Sequence, residues 1–451
     1  MSTKPQFGTE LTLSDFISIV TNPDTSYERI SPSVQTAPLP ESSDQLVYGL
    51  NTGFGPMASV FIGSADQVAL QHNLLRSHAT GAGAYLSPAD GRAILAARVQ
   101  TLCLGYSAVR SDVLDTLLLL LNHNLVPAIP EHGSVGASGD LVQLAHAALC
   151  VIGEGLVWSE GVTRPTAEVL AEKGLAATTL AGRDGLALIN GTAAMTGIAA
   201  RNTHQAQQLL EIGTAHTAIL YELLDVHRSV FDEMVGVVRP HPGQQAILTR
   251  LNDYLADSTY IVQSLPTKPR TAATTTVPMG SNPQEFYSLR CAPQILGPIH
   301  DAVARAEQTV TTELNSVTDN PIFTDHTHIH NGNFHGDYIS YEMDCLKIAL
   351  TKLSLLAERQ LHQLLHPRLH GNLPPFLNRG TPGVTLGLQG MQFTATSTVA
   401  ENQTLANPMS IHSIPTNGDN QDIVSMGTNS ALLCRTIIEN TFQVLAIKQS
   451  H

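Results

Sequence analysis

Apolar side chains recur at helical spacing along much of the second half of the chain, three and four residues apart. The pattern predicts long helices at 192–224, 299–317, 341–366, 387–405 and 423–447. Long helices that each carry an apolar face bury those faces by packing side by side. The second half is therefore predicted to form an elongated helical bundle.

Glycine and proline interrupt the first half much more often, which leaves only short helical stretches. These stretches are at 67–78, 88–105 and 111–124. Strand-like alternation is scarce and occurs mainly near 322–323 and 329–334. We predict a mainly α fold with a loop-rich N-terminal globular domain, 1–195, and a long-helix domain, 196–451.

Charge disfavours two classes of partner. Lys and Arg total 24 against 38 Asp and Glu, a net charge of −14, and there is no basic block that could follow a phosphate backbone. Nucleic acid and acidic membranes are therefore not expected to bind. Only 14% of residues are charged, which indicates that other subunits cover much of the surface.

The expected location is the cytoplasm, because neither a signal peptide nor a run of apolar residues long enough to span a bilayer is found. The cysteines are Cys103, Cys150, Cys291, Cys345 and Cys434. Since they are odd in number, far apart and without C-x-x-C spacing, we interpret them as reduced thiols.

A glycine-rich stretch at 132–140 leads into a predicted helix that begins near Leu141. The structural interpretation is a tight turn with Asp140 as the helix N-cap. The chemical interpretation concerns Ala137, Ser138 and Gly139. The amide nitrogen of Gly139 can attack the carbonyl carbon of Ala137, and loss of two waters then leaves a conjugated methylidene-imidazolone, an electrophile that no ordinary side chain supplies.

A second glycine-rich stretch, YGLNTGFG at 48–55, contains Tyr48. A single tyrosine in such a loop is usually a packing residue. On a mobile loop its phenol could instead act as a general base.

Seven blocks in one order carry a resemblance to a known family. They are YGLNTGFG at 48–55, GSVGASGDL at 133–141, GLALINGT at 185–192, YSLRCAPQ at 287–294, TDNP at 318–321, GNFHG at 332–336 and QDIVSMG at 421–427. From about residue 45 to its end the chain resembles the aromatic amino acid ammonia-lyases and aminomutases. The resemblance implies a fumarase/aspartase-like helical architecture.

The resemblance also implies roles for individual residues. Ala137, Ser138 and Gly139 would form the 4-methylidene-imidazol-5-one group, with no external cofactor. Tyr48 would remove a β-proton, and Arg290, assisted by Asn320, would bind the substrate carboxylate. Asn190 and Tyr287 would hydrogen-bond the prosthetic ring. The remaining residues implied to bind substrate are Gly55, Leu75, His78, Gln294, Phe334 and Gln421.

Two of these positions bear on the substrate. His78 can hydrogen-bond a phenol or an imidazole, whereas phenylalanine-selective relatives usually have an apolar residue there. Gln421 stands where similar histidine lyases have a carboxylate, so a charge-assisted contact worth about 1.5–3 kcal/mol is missing. Deamination of L-tyrosine to trans-4-coumarate is therefore the predicted reaction.

Three alternatives stay open at this point: a histidine ammonia-lyase, a tyrosine 2,3-aminomutase that returns ammonia to the β-carbon, and a silent structural paralogue. The family's assembly implies a homotetramer with active sites shared between subunits. Additional C-terminal helices usual in the family have no counterpart after the predicted helix near residue 447, which bears on assembly more than on chemistry.

Alternating histidines precede the GNFHG block and could pass for a metal cluster. They are His326, His328 and His330, with His335 beyond them. Because the resemblance involves no catalytic metal, we predict a variable hairpin and no metal site here.

Overall fold

A computed structural model describes residues 4–30, 46–263, 284–324, 327–366, 369 and 373–449, and helices dominate it. The helices are α1 (Leu13–Thr21), α2 (Gln67–His78), α3 (Pro88–Cys103), α4 (Ser111–Asn122), α5 (Leu141–Val151), α6 (Thr166–Glu172), α7 (Asp184–Ile189), α8 (Ala193–Leu223), α9 (Glu233–Val237), α10 (Pro242–Tyr254), α11 (Tyr287–Arg290), α12 (Ala292–Leu314), α13 (Asp337–Leu365), α14 (Gln389–Leu405) and α15 (Gly427–Gln449). Strands are short: β1 (Ala82–Tyr85), β2 (Val126–Pro127), β3 (Pro130–His132), β4 (Leu156–Ser159), β5 (Val162–Pro165), β6 (Ile322–Phe323) and β7 (His328–Ile329). The mainly α prediction is confirmed.

The predicted long helices are all present, but α12 begins at Ala292 instead of residue 299. The sequence rule places a boundary at Pro298, since proline lacks the N–H that an interior position donates. In the structure the buried stripe continues across the proline, with Leu296 and Ile299 both buried. Packing of this stripe outweighs the one missing hydrogen bond.

One compact unit comprises Met1–His204, Ala306–Asp344 and Pro408–Arg435. Helix α3 lies in its core, because every residue of α3 from Asp90 to Cys103 is buried. In the described part, antiparallel pairs join β1 to β3, β4 to both β2 and β5, and β6 to β7. The β6–β7 pair matches the predicted hairpin region. The other strands were not predicted, because strands of so few residues are too short to show a clear alternation of apolar and polar side chains.

The second compact unit comprises Gln205–Arg305, Cys345–Asn407 and Thr436–His451. Its buried apolar residues come from several helices: Leu209, Leu210, Leu220, Leu296, Ile299, Leu353, Leu356, Leu361, Val399, Ile437, Ile438 and Val444. Each unit combines three segments, because α8, α12, α13 and α15 contribute residues to both. The predicted domains 1–195 and 196–451 divide the chain by sequence, and that division stays a prediction.

The second unit contains a buried amine, that of Lys448. The Lys448 Nζ donates a hydrogen bond to Gln360, whose Nε2 donates to the Ser288 carbonyl over 3.0 Å. Burial lowers the pKa of Lys448 to about 7, and burial together with the nearby Lys448 lowers the pKa of His216 to about 4. This part of the core therefore disfavours positive charge.

Lys448→Met is expected to stabilise the protein most at pH 6. Between about pH 7 and pH 10.5 the unfolded lysine holds a proton that the folded one does not, so stability of the unmodified protein rises with pH across that window. The gain in free energy of unfolding from methionine, on the order of a few kcal/mol, is fully present below pH 7 and becomes smaller as pH rises. Thermal melts from pH 6 to pH 10 measure it, with the exposed Lys352→Met as control. A pH-independent loss of stability would contradict the expectation.

None of the described helices combines the length and the apolar character that crossing a bilayer requires. The cytoplasmic location stays a prediction. No disulfide joins the cysteines, all of which lie in the described ranges; three of them are buried and two are half-buried. Burial raises the pKa of Cys103 and of Cys150 to about 12, which keeps both protonated and unreactive.

Candidate active site

Tyr48 lies in the glycine-rich loop between α1 and α2. The backbone N–H of Gly55 donates a hydrogen bond to its phenol oxygen over 3.0 Å, and the Phe54 ring meets the phenol ring edge-on at 6.0 Å. Gln71 of α2 anchors the loop through the carbonyl of Gly49, at 3.0 Å. A donor aimed at the phenol oxygen stabilises negative charge there, which suits a group that gives up its proton and takes another.

Ala137, Ser138 and Gly139 form the turn immediately before α5. Gly139 has a φ of +67°, and a Cβ placed on it would lie 2.0 Å from the Gly191 carbonyl oxygen. Only glycine fits this turn. Ser138 reaches the cavity described below, and Gln421 Nε2 donates a hydrogen bond to its Oγ over 2.9 Å. The serine side chain is therefore accessible on a backbone that is held tightly from behind.

Asp140 anchors this turn from the protein interior. Its carboxyl group is fully buried and accepts hydrogen bonds from Ser134 Oγ at 2.7 Å, from the Met195 N–H at 2.8 Å and from the Thr428 hydroxyl. Burial raises the pKa of Asp140, and these donors oppose the rise. The contacts connect the glycine-rich turn to the first turns of α8 and α15, so three sequence segments fix its position.

A buried ion pair supports two further predicted site residues, Asn190 and Asn320. Arg183 binds Asp319 with both Nη atoms, at 2.8 and 3.2 Å, and neither side chain is accessible to solvent. Burial alone would raise the pKa of Asp319, but the charges of Arg183 and Arg98 hold it below its usual range. Asp319 in turn accepts from Asn190 Nδ2 at 2.9 Å and from the Asn320 N–H at 2.7 Å. The ionised carboxylate thus holds two of the predicted site residues.

His78 ends α2 with one ring nitrogen already occupied. Its Nδ1 lies 2.9 Å from the Leu74 carbonyl oxygen and 3.0 Å from the Ser77 hydroxyl. Because a carbonyl only accepts, Nδ1 carries the hydrogen in this contact, and in the neutral ring Nε2 is then an acceptor. His78 is suited to accept a hydrogen bond from a ligand hydroxyl or N–H.

These elements surround a cavity of about 590 Å³ in the first unit. It is lined by Tyr48, Phe54, Gly55, Pro56, Met57, Ala58, Leu70, Asn73, Leu74, Ser77, His78, Ser138, Leu141, Leu186, Asn190, Asn320, Phe334, Asn417, Asn420 and Gln421. The volume suits a small organic molecule. Among the described residues, no Lys, Arg, Asp or Glu lines it. A charged ligand would therefore meet no Lys, Arg, Asp or Glu side chain from the described residues of this unit.

The structure brings eight of the sequence-predicted site residues to this cavity: Tyr48, Gly55, His78, Ser138, Asn190, Asn320, Phe334 and Gln421. Ala137 and Gly139 are buried on either side of Ser138. Leu75 is fully buried and does not line the cavity, which Leu74 and Leu70 line instead.

Three predicted residues, Tyr287, Arg290 and Gln294, belong to the second unit. Tyr287 is 72% exposed, and the Arg290 guanidinium lies 5.8 Å from its ring and donates to Gln284 over 2.6 Å. Their predicted roles stay predictions.

Sequence reasoning missed several lining residues. Phe54, Leu141 and Leu186 lie inside the matched sequence blocks, so block membership was a signal that could have found them. Asn417 and Asn420 precede the last block in a loop, and no sequence signal singled them out.

The histidine tract does not form a metal centre in the part of the chain that the structure describes. His326 lies outside the described residues, and the rings of His328 and His330 are 5.4 Å apart at the β6–β7 hairpin. Among the described residues, no three His, Cys, Asp or Glu side chains come together in a way that could hold a metal ion.

The known proteins that this chain is similar to include several aromatic amino acid lyases. The aromatic amino acid lyase family model matches residues 11–451. A tyrosine ammonia-lyase of Cupriavidus metallidurans is 41% identical over 409 residues, which is 89% of this chain and 77% of that protein. A histidine ammonia-lyase of Deinococcus radiodurans is 40% identical over 450 residues, which is 97% of this chain and 83% of that protein.

A solved structure is also similar. The crystal structure of a tyrosine aminomutase from Streptomyces globisporus matches 98% of this chain and 86% of its own, with a TM-score of 0.92 and 36% identity. The predicted fumarase/aspartase-like architecture is confirmed, since the structural neighbours share that fold.

Proposed function

This chain belongs to the aromatic amino acid lyase family, and we propose that it removes ammonia from L-tyrosine to give trans-4-coumarate. The observation that carries the proposal is one cavity that combines Tyr48, Ser138 and His78. The first is a phenol suited to proton transfer, the second belongs to a tripeptide suited to cyclisation, and the third is an acceptor suited to a substrate hydroxyl.

The family uses a methylidene-imidazolone formed from its own chain, and we propose that Ala137, Ser138 and Gly139 form it here. The fit is favourable, because the left-handed turn at Gly139 leaves no room for a Cβ. Ala137 is 4% exposed, while the Ser138 hydroxyl that must leave as water faces the cavity. Once formed, the group supplies an electrophile that turns the substrate amino group into a better leaving group.

Tyr48 would remove the β-proton of the substrate at its phenol oxygen. The Gly55 N–H, 3.0 Å away, stabilises the oxygen while it carries negative charge. Phe54 and Phe334 add apolar walls to the same cavity. An aromatic substrate ring is thus held among apolar side chains while Tyr48 performs the proton transfer.

Two residues that would contact the side chain of the substrate bear on whether the substrate is tyrosine or histidine. With Nδ1 engaged by Leu74, His78 offers an acceptor that a phenol O–H satisfies. Gln421 is neutral, and its Nε2 is directed at Ser138, so this position offers no charge to a substrate imidazole. The His78 acceptor would also suit an imidazole N–H, so it is the neutral Gln421 that favours tyrosine over histidine.

Assembly would complete the site. No cation from the described residues lines the cavity, whereas a substrate carboxylate calls for one. We propose a homotetramer in which Arg290 and Tyr287 of another subunit reach the cavity; the exposure of Tyr287 in the single chain supports this. Light scattering of the purified protein measures the number of subunits.

The aminomutase reaction is a second candidate, since a tyrosine aminomutase is a close structural neighbour. A product assay decides between the reactions. The protein is incubated separately with tyrosine, phenylalanine and histidine, and acrylates are separated from β-amino acids by chromatography. Coumarate as the main product supports the proposal, β-tyrosine as the main product replaces it with the mutase, and urocanate from histidine alone overturns the tyrosine assignment.

His78→Phe is expected to lower the ratio of tyrosine to phenylalanine turnover, measured as kcat/KM, by about tenfold or more. The change removes the acceptor and leaves the tyrosine hydroxyl without a partner in an apolar wall. His72→Phe on the same helix is the control, because His72 does not line the cavity. An unchanged ratio in His78→Phe would mean that another residue binds the phenol.

A further inference from the structure

We propose that Asp319 holds the Asn190 amide with its oxygen facing the cavity, so that Asn190 accepts a hydrogen bond from the substrate amine while Asn320 donates one to the carboxylate. The two asparagines would then recognise an α-amino acid by its two charged groups, whatever its side chain. The inference rests on the proposed function for the substrate class. It gives Asn190 a different role from the ring contact that the family resemblance implies.

The orientation of Asn190 follows from its partners. Its Nδ2 lies 2.9 Å from Asp319 Oδ1 and 3.1 Å from the Asn320 carbonyl oxygen. A carboxylate oxygen and a carbonyl oxygen only accept, so the atom near both must be the NH₂ group. Both of its hydrogens are then engaged. The remaining polar atom, Oδ1, accepts none of the hydrogen bonds found among the described residues, and Asn190 lines the cavity.

The side-chain amide of Asn320 is held in the opposite orientation to that of Asn190. Its Oδ1 accepts from the Asn331 N–H over 2.8 Å, and a backbone N–H only donates, so this atom must be the oxygen. The Nδ2 group donates none of the hydrogen bonds found among the described residues, and Asn320 also lines the cavity. One wall of the cavity thus offers an acceptor and a donor, which match an amine and a carboxylate.

Asp319 is the residue that makes this arrangement rigid. It is fully buried, it is held by both Nη atoms of Arg183, and its Oδ1 also binds the Asn320 N–H. A rotated Asn190 would bring its oxygen against this carboxylate, a repulsive contact between two acceptors. Asp319 is therefore a positioning residue that acts through Asn190.

The surroundings also favour a neutral amine over an ammonium ion. Arg98 Nη2 donates to the Asn190 backbone carbonyl over 2.8 Å, and Arg183 binds Asp319, the partner of the Asn190 side chain. Two positive charges therefore lie near Asn190. No carboxylate from the described residues lines the cavity to offset a substrate positive charge. A carbonyl oxygen accepts a hydrogen bond from –NH₃⁺ and from –NH₂, so Asn190 can hold the amine before and after it loses the proton that nucleophilic attack requires.

The experiment compares two halves of the substrate. Tyramine has the amine without the carboxylate, and 3-(4-hydroxyphenyl)propanoate has the carboxylate without the amine. Binding is measured by calorimetry in the full-length Ser138→Ala protein, which cannot form a covalent adduct with an amine. Asn190→Leu and Asn320→Leu are matched variants of this protein, because each replaces an amide by an apolar group of similar size.

Asn190→Leu is expected to weaken tyramine binding roughly ten- to a hundredfold and to leave the propanoate within about threefold. Asn320→Leu is expected to give the reverse. Equal weakening of both probes by Asn190→Leu, or selective loss of the propanoate, would overturn the inference.

Asp319→Asn tests the positioning role. An amide at 319 can present its NH₂ group to Asn190, which frees Asn190 to rotate, so this variant should reproduce the selective loss of tyramine. Circular dichroism melts show whether it folds, because Arg183 loses its ion-pair partner. Selective loss of tyramine supports the role, and an unchanged ratio of the two affinities in folded protein refutes it. If Asp319→Asn does not fold, the comparison of Asn190→Leu with Asn320→Leu decides whether the inference holds.

These measurements separate the inference from the proposed function, because they do not depend on turnover. The same comparison is made with histamine and 3-(imidazol-4-yl)propanoate and with phenethylamine and 3-phenylpropanoate. The crossed pattern in any pair supports the inference even if tyrosine is not deaminated. Failure of every pair to bind overturns it, and tyrosine turnover by the unmodified enzyme is scored on its own.

Discussion

Tyr48→Phe is expected to lower kcat for tyrosine by about 10²- to 10⁴-fold, the usual contribution of a positioned general base. The substitution removes one oxygen and keeps the aromatic ring that packs against Phe54. The Gly55 N–H loses its acceptor, so a small loss of stability is also expected. Substrate binding should change less than kcat, because the proton transfer belongs to the chemical step.

Two measurements make this prediction specific. Intact mass should show both the unmodified protein and Tyr48→Phe lighter than the sequence by two waters, since the variant keeps the tripeptide. Tyr85→Phe is the matched control, because Tyr85 packs on Trp158 and does not line the cavity. If Tyr48→Phe retained most of the activity with the mass loss present, Tyr48 could not be the base.

Ser138→Ala is expected to reduce deamination to background, because without the serine hydroxyl the tripeptide cannot lose its second water. The backbone should stay in place, since Gly139 keeps its turn and Asp140 keeps its hydrogen bonds. Relative to the chain before cyclisation, and among the described residues, only the hydrogen bond from Gln421 to the serine oxygen is lost. Stability relative to that uncyclised chain should therefore change by no more than about 1 kcal/mol.

The readout of Ser138→Ala is chemical. Borohydride treatment should change the ultraviolet spectrum of the unmodified protein and leave that of Ser138→Ala unchanged. Ser111→Ala, at an exposed position that begins α4, is the control and should behave like the unmodified protein. Unmodified protein that is active yet has the full mass of its sequence would remove the basis of the proposed reaction. Inactive protein without the mass loss would favour a silent structural subunit.

Much of the candidate site could be predicted because its chemistry is local in sequence. The Ala-Ser-Gly tripeptide is contiguous, and Tyr48 comes with the glycines that shape its loop. The family and the mainly α fold followed from seven short blocks and helical periodicity, and comparison confirms them.

Other features could not be predicted because they depend on contacts between distant segments. The sequence suggested Leu75 for the cavity, but the rotation of α2 buries it and presents Leu74. No pattern separates these neighbours, since α2 has weak amphipathic character. Asn417 and Asn420 reach the cavity from a loop that is far from Ser138 along the chain.

The sequence by itself determined which reactive groups this protein has, because cyclisation requires covalently adjacent residues. It also determined the helices, because their apolar periodicity is local. Only the tertiary structure decided which way those groups face. Asn190 presents an oxygen and Asn320 presents an NH₂ group because Asp319 and the Asn331 N–H occupy their other ends. Hydrogen-bond polarity depends on partners that folding brings together from separate segments, so a linear pattern does not contain it.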